Sequence, residues 1–202
     1  MLHRLREAYD IDSPPLEGVV EIDETYVGGR EKNKHSRKKF RMGRGTAGKT
    51  TVFGMRERDG RTKALPISNT KTETFEKTIF QNIKKGSVLY TDEHSGYRNL
   101  GRFYAHDAIR HGRGEYVRGS AHTNGIESVW AMLKRAHYGV YHQWSNKHMH
   151  RYVNECAFRV NEGSGQNPIM DRINTTLDHS VGKRLTYQEL TADPLLAART
   201  TR

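Results

Sequence analysis

The sequence predicts an α/β fold in which a mixed β-sheet is flanked by helices. Segments that alternate β-branched and polar residues predict strands, and segments with apolar residues at helical spacing predict helices. After a short helix at the start of the chain, the predicted order is three strands, a helix, two further strands and two helices. This order fits an antiparallel three-strand meander combined with parallel strands.

Five strands are predicted, and the first, GVVEIDETYV, shows the clearest alternation. Asp59-Gly60 is a dipeptide typical of tight hairpins, so the second and third strands are expected to be adjacent and antiparallel. The segment SVLYT is apolar enough to form a short buried strand. The predicted strands cover residues 18–27, 50–57, 61–68, 87–91 and 103–109.

Four helices are predicted from the spacing of their apolar residues. In the second of them Phe75, Ile79 and Ile83 share one side, and Thr72 is a candidate N-cap. The predicted helices cover residues 1–9, 72–84, 124–138 and 146–161, and the segment 163–202 is expected to be weakly structured polar sequence.

The composition indicates a polyanionic partner. The 202-residue chain has a formal net charge of +11 and an isoelectric point near 9.8. Lys and Arg contacts to phosphates are favourable because they release condensed counterions. Nucleic acid is therefore the leading candidate, and the alternative is a well-solvated basic protein that binds ribosomes or acidic partners.

Residues 30–49 concentrate this positive charge, with nine Lys or Arg and one acidic residue, Glu31. Three glycines interrupt the segment, which therefore predicts a flexible basic loop. We expect the loop to contact DNA through Lys38, Lys39 and Arg41. The alternative is a solvated loop without a function.

Cysteine content and hydropathy exclude other classes of protein. The single cysteine, Cys156, rules out a disulfide framework within the chain and a cysteine-based zinc ribbon. One cysteine is also consistent with a reducing compartment. No apolar run approaches 18 residues, so we expect no membrane span and a cytoplasmic location.

Three carboxylates are the candidate catalytic and metal-binding residues. Asp23 lies in the middle of the first predicted strand, Asp92 follows the fourth, and Glu127 lies in the first turn of a helix, 35 positions after Asp92. Divalent cations such as Mg²⁺ prefer oxygen ligands, and two ions about 3.5–4 Å apart hold the attacking and leaving oxygens of a phosphoryl transfer. Such a trio would suit metal-dependent chemistry on nucleic acid.

Each carboxylate also has a simpler explanation. Asp23 would be a charge on an edge strand, and Asp92 would belong to an ordinary turn. Asn124 and Glu127 match a capping box, with Asn124 as N-cap and Glu127 three residues later. For each residue taken alone, these alternatives stay open.

The helix around Glu127 is predicted to have distinct faces. Lys134 lies almost two turns after Glu127 on one flank, with Ala131 and Tyr138 near the same line. Lys134 is therefore a candidate ligand of a DNA phosphate, and the alternative is a solvated helix charge. The buried stripe of this helix is predicted to contain Ile126, Val129, Trp130, Leu133 and His137.

Several neighbours of the carboxylates are predicted to have supporting roles. Trp130 and Tyr97 are expected to be packing residues, the latter with a polar tip. His94 and His122 adjoin the proposed acids, and ordinary surface or supporting roles are expected for them.

Three segments together resemble the active-site blocks of bacterial insertion-sequence transposases. They are VEIDETYVGG at residues 20–29, YTDEHSGY at residues 90–97 and HTNGIESVWAMLKR at residues 122–135. The resemblance is to DDE-type enzymes of the ISXO-like group, in the IS-fifteen-ninety-five family, and it covers residues 17–162.

The resemblance implies an RNase H-like fold and a metal-binding triad of Asp23, Asp92 and Glu127 that holds two Mg²⁺ or Mn²⁺ ions. It implies that Asn124 supports this site and that Lys134 and Arg135 contact DNA. The implied reaction is hydrolysis at transposon ends, followed by attack of the freed 3′-hydroxyl on target DNA. The implied partners are both DNAs and further copies of the chain, as a homodimer or higher oligomer, in bacterial cytoplasm at the nucleoid.

The resemblance also divides the chain into three parts. Residues 17–162 correspond to the catalytic domain, and residues 163–202 to a C-terminal tail. Family members carry a zinc ribbon and a helix-turn-helix before this domain, and residues 1–16 resemble the end of that helix-turn-helix plus a linker. Since the zinc ribbon is not in this sequence, a truncated, non-catalytic DNA-binding fragment stays open as an alternative. A second alternative, independent of the zinc ribbon, is an RNase H-like nuclease that does not join strands.

Overall fold

The computed structural model contains a five-stranded sheet with helices on both faces. It describes residues 2–29, 35–39, 45–46, 48–58, 60–109, 122–163 and 167–192. The sheet order is β3-β2-β1-β4-β5. The strands are β1 (Val19–Val27), β2 (Thr50–Glu57), β3 (Thr62–Ile67), β4 (Val88–Thr91) and β5 (Ala105–Ala108), each inside the segment predicted for it.

Strand β1 lies at the centre of the sheet and pairs differently on its two sides. It is antiparallel to β2, from Val20 opposite Glu57 to Val27 opposite Thr50, and β2 is antiparallel to β3. It is parallel to β4, which is parallel to β5. The RNase H-like mixed sheet is thereby confirmed. Because β1 is central, the explanation of Asp23 as an edge-strand charge is wrong.

Six α-helices occur in the described part of the chain, and none of them is long and apolar enough to cross a membrane. They are α1 (Leu2–Glu7), α2 (Thr72–Asn82), α3 (Asn124–Arg135), α4 (Met149–Glu162), α5 (Ile169–Ser180) and α6 (Tyr187–Thr191). The helix predicted over residues 124–138 ends as an α-helix at Arg135, and the backbone continues as a π-helix over Ala136–Tyr141.

The C-terminal segment is helical where weakly structured sequence was expected. Helix α5 begins directly after Pro168, and its apolar residues Ile169, Ile173 and Leu177 recur every four positions. Helix α6 begins with a capping box between Thr186 and Glu189. Both signals are visible in the sequence, but neither helix contributes a buried residue to the cores.

The start of α2 also differs from the expectation. Its N-cap is Lys71 rather than Thr72. The side-chain oxygen of Asn69 accepts hydrogen bonds from the Lys71 backbone N–H at 3.0 Å and from the Thr74 hydroxyl at 2.7 Å. An Asn two residues before the N-cap therefore organises this turn.

Two hydrophobic cores lie on opposite faces of the sheet because successive strand residues point to opposite sides. On β2, Phe53 belongs to the core beneath α2, whereas Val52 belongs to the core beneath α3 and α4. Gly54 faces α3, where a Cβ would lie 2.4 Å from the Trp130 ring. The absence of a side chain at Gly54 thus lets the indole lie directly on the sheet.

Helix α1 is attached to α4 by a buried ion pair. The Arg6 Nε donates to Glu155 at 2.7 Å, and both residues are less than 10% exposed. Tyr141 and Arg159 donate to the other Glu155 oxygen, both at distances below 3 Å. Burial alone would raise the pKa of Glu155, but the hydrogen bonds from Arg6, Arg159 and Tyr141 outweigh it and lower this pKa below 4.5.

We predict that Glu155→Gln lowers the free energy of unfolding by roughly 2–5 kcal/mol near neutral pH, because it leaves the Arg6 charge buried without its counter-charge. The folded-state pKa of Glu155 is depressed, so its stabilising effect is present above about pH 4.5 and is lost as the pH falls through the folded-state pKa. The difference between wild type and variant should therefore shrink below that pH.

Urea unfolding followed by circular dichroism between pH 3 and pH 7 measures this effect. Glu17→Gln is the control, because Glu17 pairs with Lys84 on the surface, where both side chains are more than 60% exposed. It should change stability by less than about 1 kcal/mol. Equal losses in the two variants would contradict the prediction.

Gly54→Ala should destabilise the protein by roughly 1–3 kcal/mol, because the added methyl group overlaps the Trp130 ring and the core is already filled. Gly101→Ala is the matched change at a position where a Cβ meets no atom within 4 Å. Urea unfolding midpoints compare the two, and a Gly54 variant as stable as the Gly101 variant would show that α3 does not lie on β2 as described.

Candidate active site

Asp23 occupies the middle of β1 on the face that is covered by α3. It lies opposite Gly54 of β2, and the Trp130 Nε1–H donates a 2.8 Å hydrogen bond to its Oδ2. Trp130 itself is only 4% exposed. The indole predicted as a packing residue therefore also fixes the orientation of the first candidate carboxylate.

Asp92 lies beside Asp23 at the carboxyl end of the neighbouring parallel strand. In the β1–β4 register, Glu21 lies opposite Tyr90, and two further residues along each strand lead to Asp23 and Asp92. Asp92 Oδ1 also accepts the backbone N–H of His94 at 2.9 Å. The ordinary turn that was one explanation of Asp92 is present, and it holds this side chain at the end of the strand.

The environment of Asp23 is unfavourable for its negative charge. Burial raises the pKa of Asp23 from 3.8 to about 7, the hydrogen bond from Trp130 opposes this shift, and the charges of Glu24 and Asp92 raise the pKa further. The carboxylates are thus close enough to repel one another. A cation placed between Asp23 and Asp92 would relieve that repulsion.

Glu24 points to the opposite face of β1 and was not a candidate from the sequence. The hydroxyl of the buried Tyr97 donates to its Oε2 at 2.6 Å, and His94 Nε2 lies 3.9 Å from its Oε1. Burial raises the pKa of Glu24, and the charge of Asp92 also contributes. Tyr97 has the predicted packing role with a polar tip, and that tip anchors the residue next to Asp23.

Glu127 lies in the first turn of α3 with its side chain exposed. Its backbone N–H donates to the Thr123 carbonyl at 3.0 Å, and the Thr123 hydroxyl donates to its Oε1 at 3.2 Å. The N-cap is Thr123, and the helix begins at Asn124. The capping box between Asn124 and Glu127 is therefore wrong, because Glu127 is the fourth helical residue and is not positioned to close that box.

A side chain from strand β1 caps the backbone at the start of α3. Glu21 of β1, which is 2% exposed, accepts the Ile126 backbone N–H at 3.0 Å through its Oε2. The sequence held one signal for this contact: Glu21 precedes Asp23 by two residues and so shares its face of β1. Without the fold, the sequence did not show that α3 crosses this face.

The donor atoms suit a hard divalent cation, because Asp23, Asp92 and Glu127 all offer carboxylate oxygens. Mutual repulsion of Asp23 and Asp92 is a further reason for such an ion. Within the described residues, however, no three His, Cys, Asp or Glu side chains lie close enough together to enclose a metal. The structure brings the two aspartates together, and binding of metal by the complete trio stays a prediction.

The predicted DNA-contacting residues are exposed wherever the structure describes them. On α3, Lys134 and Arg135 are exposed, and Lys134 lies on the same flank as Glu127. Asn124, which was predicted to support the metal site, is exposed as well. In the basic loop Lys39 is exposed. The side chain of Lys38 and the whole of Arg41 lie outside the described residues, as does most of segment 30–49.

Comparisons with known proteins point to one family. The chain matches the model of the ISXO2-like transposase domain over residues 15–161. A protein described as an uncharacterized protein in transposable element ISH50, from Halobacterium salinarum, is 32% identical over 145 residues. The match covers 66% of this chain and 49% of that protein, so the chain spans about half the length of this curated relative.

Two solved structures are similar to the chain at low sequence identity. The HTLV-2 integrase catalytic core domain in complex with magnesium is 14% identical with a TM-score of 0.41, over 77% of this chain and 91% of that one. The simian T-cell lymphotropic virus intasome in complex with PP2A regulatory subunit B56 gamma is 10% identical with a TM-score of 0.44, over 87% and 58% respectively. The strand order and directions of the chain itself define its fold.

We predict that Trp130→Phe weakens Mn²⁺ binding by about 10–100-fold, because Asp23 loses the hydrogen bond that orients it while most of the aromatic packing is kept. Trp144→Phe is the matched control: Trp144 is buried in the same core, and its indole N–H has no hydrogen-bond partner among the described residues. Isothermal titration calorimetry compares both variants with wild type, and equal affinities in all three would refute the role of Trp130.

Proposed function

This chain belongs to the ISXO2-like transposase domain family, and from that membership we propose that it is the catalytic domain of a DDE-type DNA transposase. Its reaction would be metal-dependent hydrolysis of a phosphodiester at each transposon end, followed by attack of the freed 3′-hydroxyl on a phosphodiester of target DNA. That attack joins the two strands and releases a 3′-hydroxyl of the target. The observation that supports this proposal best is the pair of aspartates, Asp23 in β1 and Asp92 directly after the neighbouring parallel strand β4, which are near enough for the charge of Asp92 to raise the pKa of Asp23.

In phosphoryl transfer a protein takes little part in the covalent chemistry. It contributes by positioning the reacting groups and by neutralising the charge that develops. Divalent ions, when bound, would activate the attacking oxygen and stabilise the leaving one. The chain's own residues hold the ligands in place: Trp130 orients Asp23, and the His94 backbone N–H fixes Asp92 at the strand end. Both contacts reduce the freedom that each carboxylate would lose on binding an ion.

The third proposed ligand is Glu127, on the exposed flank of α3. Lys134 lies about two turns further along that flank, so a DNA strand that runs over the helix would present a phosphate to its ammonium group. Asn124 would support the same end of the helix, while Arg135 and the basic segment 30–49 would extend the contact along the backbone. We propose two Mg²⁺ or Mn²⁺ ions as cofactors.

The proposed setting follows from the same reaction. The two DNA partners would be transposon ends and target DNA, and joining two ends to one target calls for at least two copies of the chain. We propose residues 17–162 as the catalytic domain and the bacterial cytoplasm, at the nucleoid, as the location.

A DNA-binding fragment without catalysis is the second candidate. It is favoured by one observation, that the described residues contain no compact group of three metal-binding side chains. The net charge of +11 would support DNA binding in either case. The candidates differ in metal dependence, since only the catalytic proposal requires the aspartates to bind an ion.

The test of the catalytic proposal is Mn²⁺-dependent nicking of supercoiled plasmid, measured on gels together with Mn²⁺ calorimetry. Glu127→Gln should lower the nicking rate at least about 100-fold, because a neutral amide replaces an anionic ligand. It should leave the urea unfolding midpoint nearly unchanged, because the Glu127 side chain is exposed and the amide oxygen of Gln can still accept the Thr123 hydroxyl.

Asp23→Asn combined with Asp92→Asn should remove Mn²⁺ binding while plasmid binding at low salt persists. Glu93→Gln is the control, because Glu93 is exposed and lies beside Asp92, and it should keep both Mn²⁺ binding and plasmid binding. If wild type binds plasmid but neither nicks it nor binds Mn²⁺, the non-catalytic candidate replaces this proposal. Nicked products without joined strands would instead favour a nuclease.

A further inference from the structure

Glu21 is a buried acid that the proposed chemistry does not use. Its carboxylate is 2% exposed and lies at the N-terminus of α3, where it accepts the Ile126 backbone N–H. The first backbone N–H groups of a helix have no partner inside the helix and carry partial positive charge, so an anion is well placed there. The acid comes from β1, the strand that also carries Asp23.

The approach of Glu21 to the helix depends on Gly125. A Cβ on Gly125 would lie 2.6 Å from the Glu21 Oε2, the same oxygen that accepts the Ile126 N–H. Any other residue at this position would push the carboxylate away from the helix. Glycine is otherwise unfavourable inside a helix, so its presence here indicates a requirement for close approach.

The two hydrogen bonds between β1 and α3 are separated by nearly the same distance along the strand and along the helix. Glu21 accepts from Ile126 and Asp23 accepts from Trp130. Two residues of strand advance about 6.6 Å, and four residues of helix advance about 6 Å. Helix α3 is therefore held along β1 at two successive points, and Glu127 follows directly after the first of them.

An arginine and a histidine also approach the Glu21 carboxylate. Arg58 Nη2 lies 3.6 Å from its Oε1, and His122 Nδ1 lies 3.3 Å from the same oxygen. These groups come from the end of β2 and from the segment before α3. One side chain thus links three parts of the chain that meet at the candidate site.

From these contacts we infer that Glu21 is the positioning residue that sets the distance between Asp23 on β1 and Glu127 on α3. The inference rests on the proposed function, in which these two carboxylates bind the same metal centre. Glu21 touches neither DNA nor metal in this scheme. It acts by fixing the start of the helix, as outer groups around metal ligands commonly do.

Four variants test the inference, each measured in two ways. Hydrogen exchange of the Ile126 amide in the metal-free chain reports the contact itself, and calorimetry with Mn²⁺ reports its effect on the site. Glu21→Ala should expose the Ile126 amide to exchange and weaken Mn²⁺ binding about 10–100-fold. Glu21→Gln keeps an acceptor oxygen, so it should restore most of the Ile126 protection and most of the affinity.

Gly125→Ala should reproduce the Glu21→Ala result although the acid is present, because the added methyl group displaces it. The matched control is Glu57→Ala. Glu57 also accepts backbone N–H groups, from Glu17 at 2.9 Å and Arg61 at 3.0 Å, but it lies away from α3. Its loss should lower stability without changing either the Ile126 exchange rate or the Mn²⁺ affinity.

The outcomes separate this inference from the proposed function. If Glu21→Ala leaves Ile126 protected, or if Glu57→Ala weakens Mn²⁺ binding as much as Glu21→Ala does, the positioning role is refuted. If wild type binds no Mn²⁺, the proposed function fails, and with it the effect of Glu21 on a metal centre. The exchange data would then still decide whether Glu21 holds the start of α3.

Discussion

The contact between β1 and α3 is the interaction on which the rest of the candidate site depends. Asp23 belongs to the strand and Glu127 to the helix, so their separation is fixed only if the two elements cannot slide. Two hydrogen bonds prevent sliding, one from the Ile126 backbone to Glu21 and one from the Trp130 indole to Asp23. On the neighbouring strand β2, Trp130 packs over Gly54 and Arg56 donates to the Gly125 carbonyl at 3.1 Å, so β2 also holds the helix.

Charge imposes the second constraint. The chain is strongly basic overall, yet the centre of its sheet gathers the acidic groups Asp23, Glu24 and Asp92, and their burial and mutual repulsion raise the pKa of Asp23 to about 7. Such an arrangement is costly for stability alone, because like charges in a partly buried site destabilise one another. It fits the proposed function, in which the basic surface would bind DNA and the acidic centre would bind divalent cations.

The two faces of β1 contribute differently to this arrangement. On one face, α3 supplies Trp130 and the backbone N–H that hold Asp23 and Glu21. On the other, the buried Tyr97 holds Glu24, and it stacks on Phe75 of α2 with ring centroids 4.8 Å apart. Each core therefore supplies hydrogen-bond donors to the same four-residue stretch of β1, residues 21–24. If either core became mobile, these hydrogen bonds would no longer hold the side chains of β1 in place.

The sequence by itself determined the five strands and the helices α1 to α4, because alternation and helical spacing are local properties. It also predicted where Asp23 and Asp92 lie, in the middle of β1 and directly after β4. It did not determine how α3 is capped: the local pattern of Asn124 and Glu127 suggested a capping box, whereas the cap comes from Glu21, 105 positions away from Ile126. Only the tertiary structure decided this, because β1 and α3 are far apart in the chain and come into contact only when the sheet has formed. The same reason explains why the bond from Trp130 to Asp23 was visible only in the folded chain.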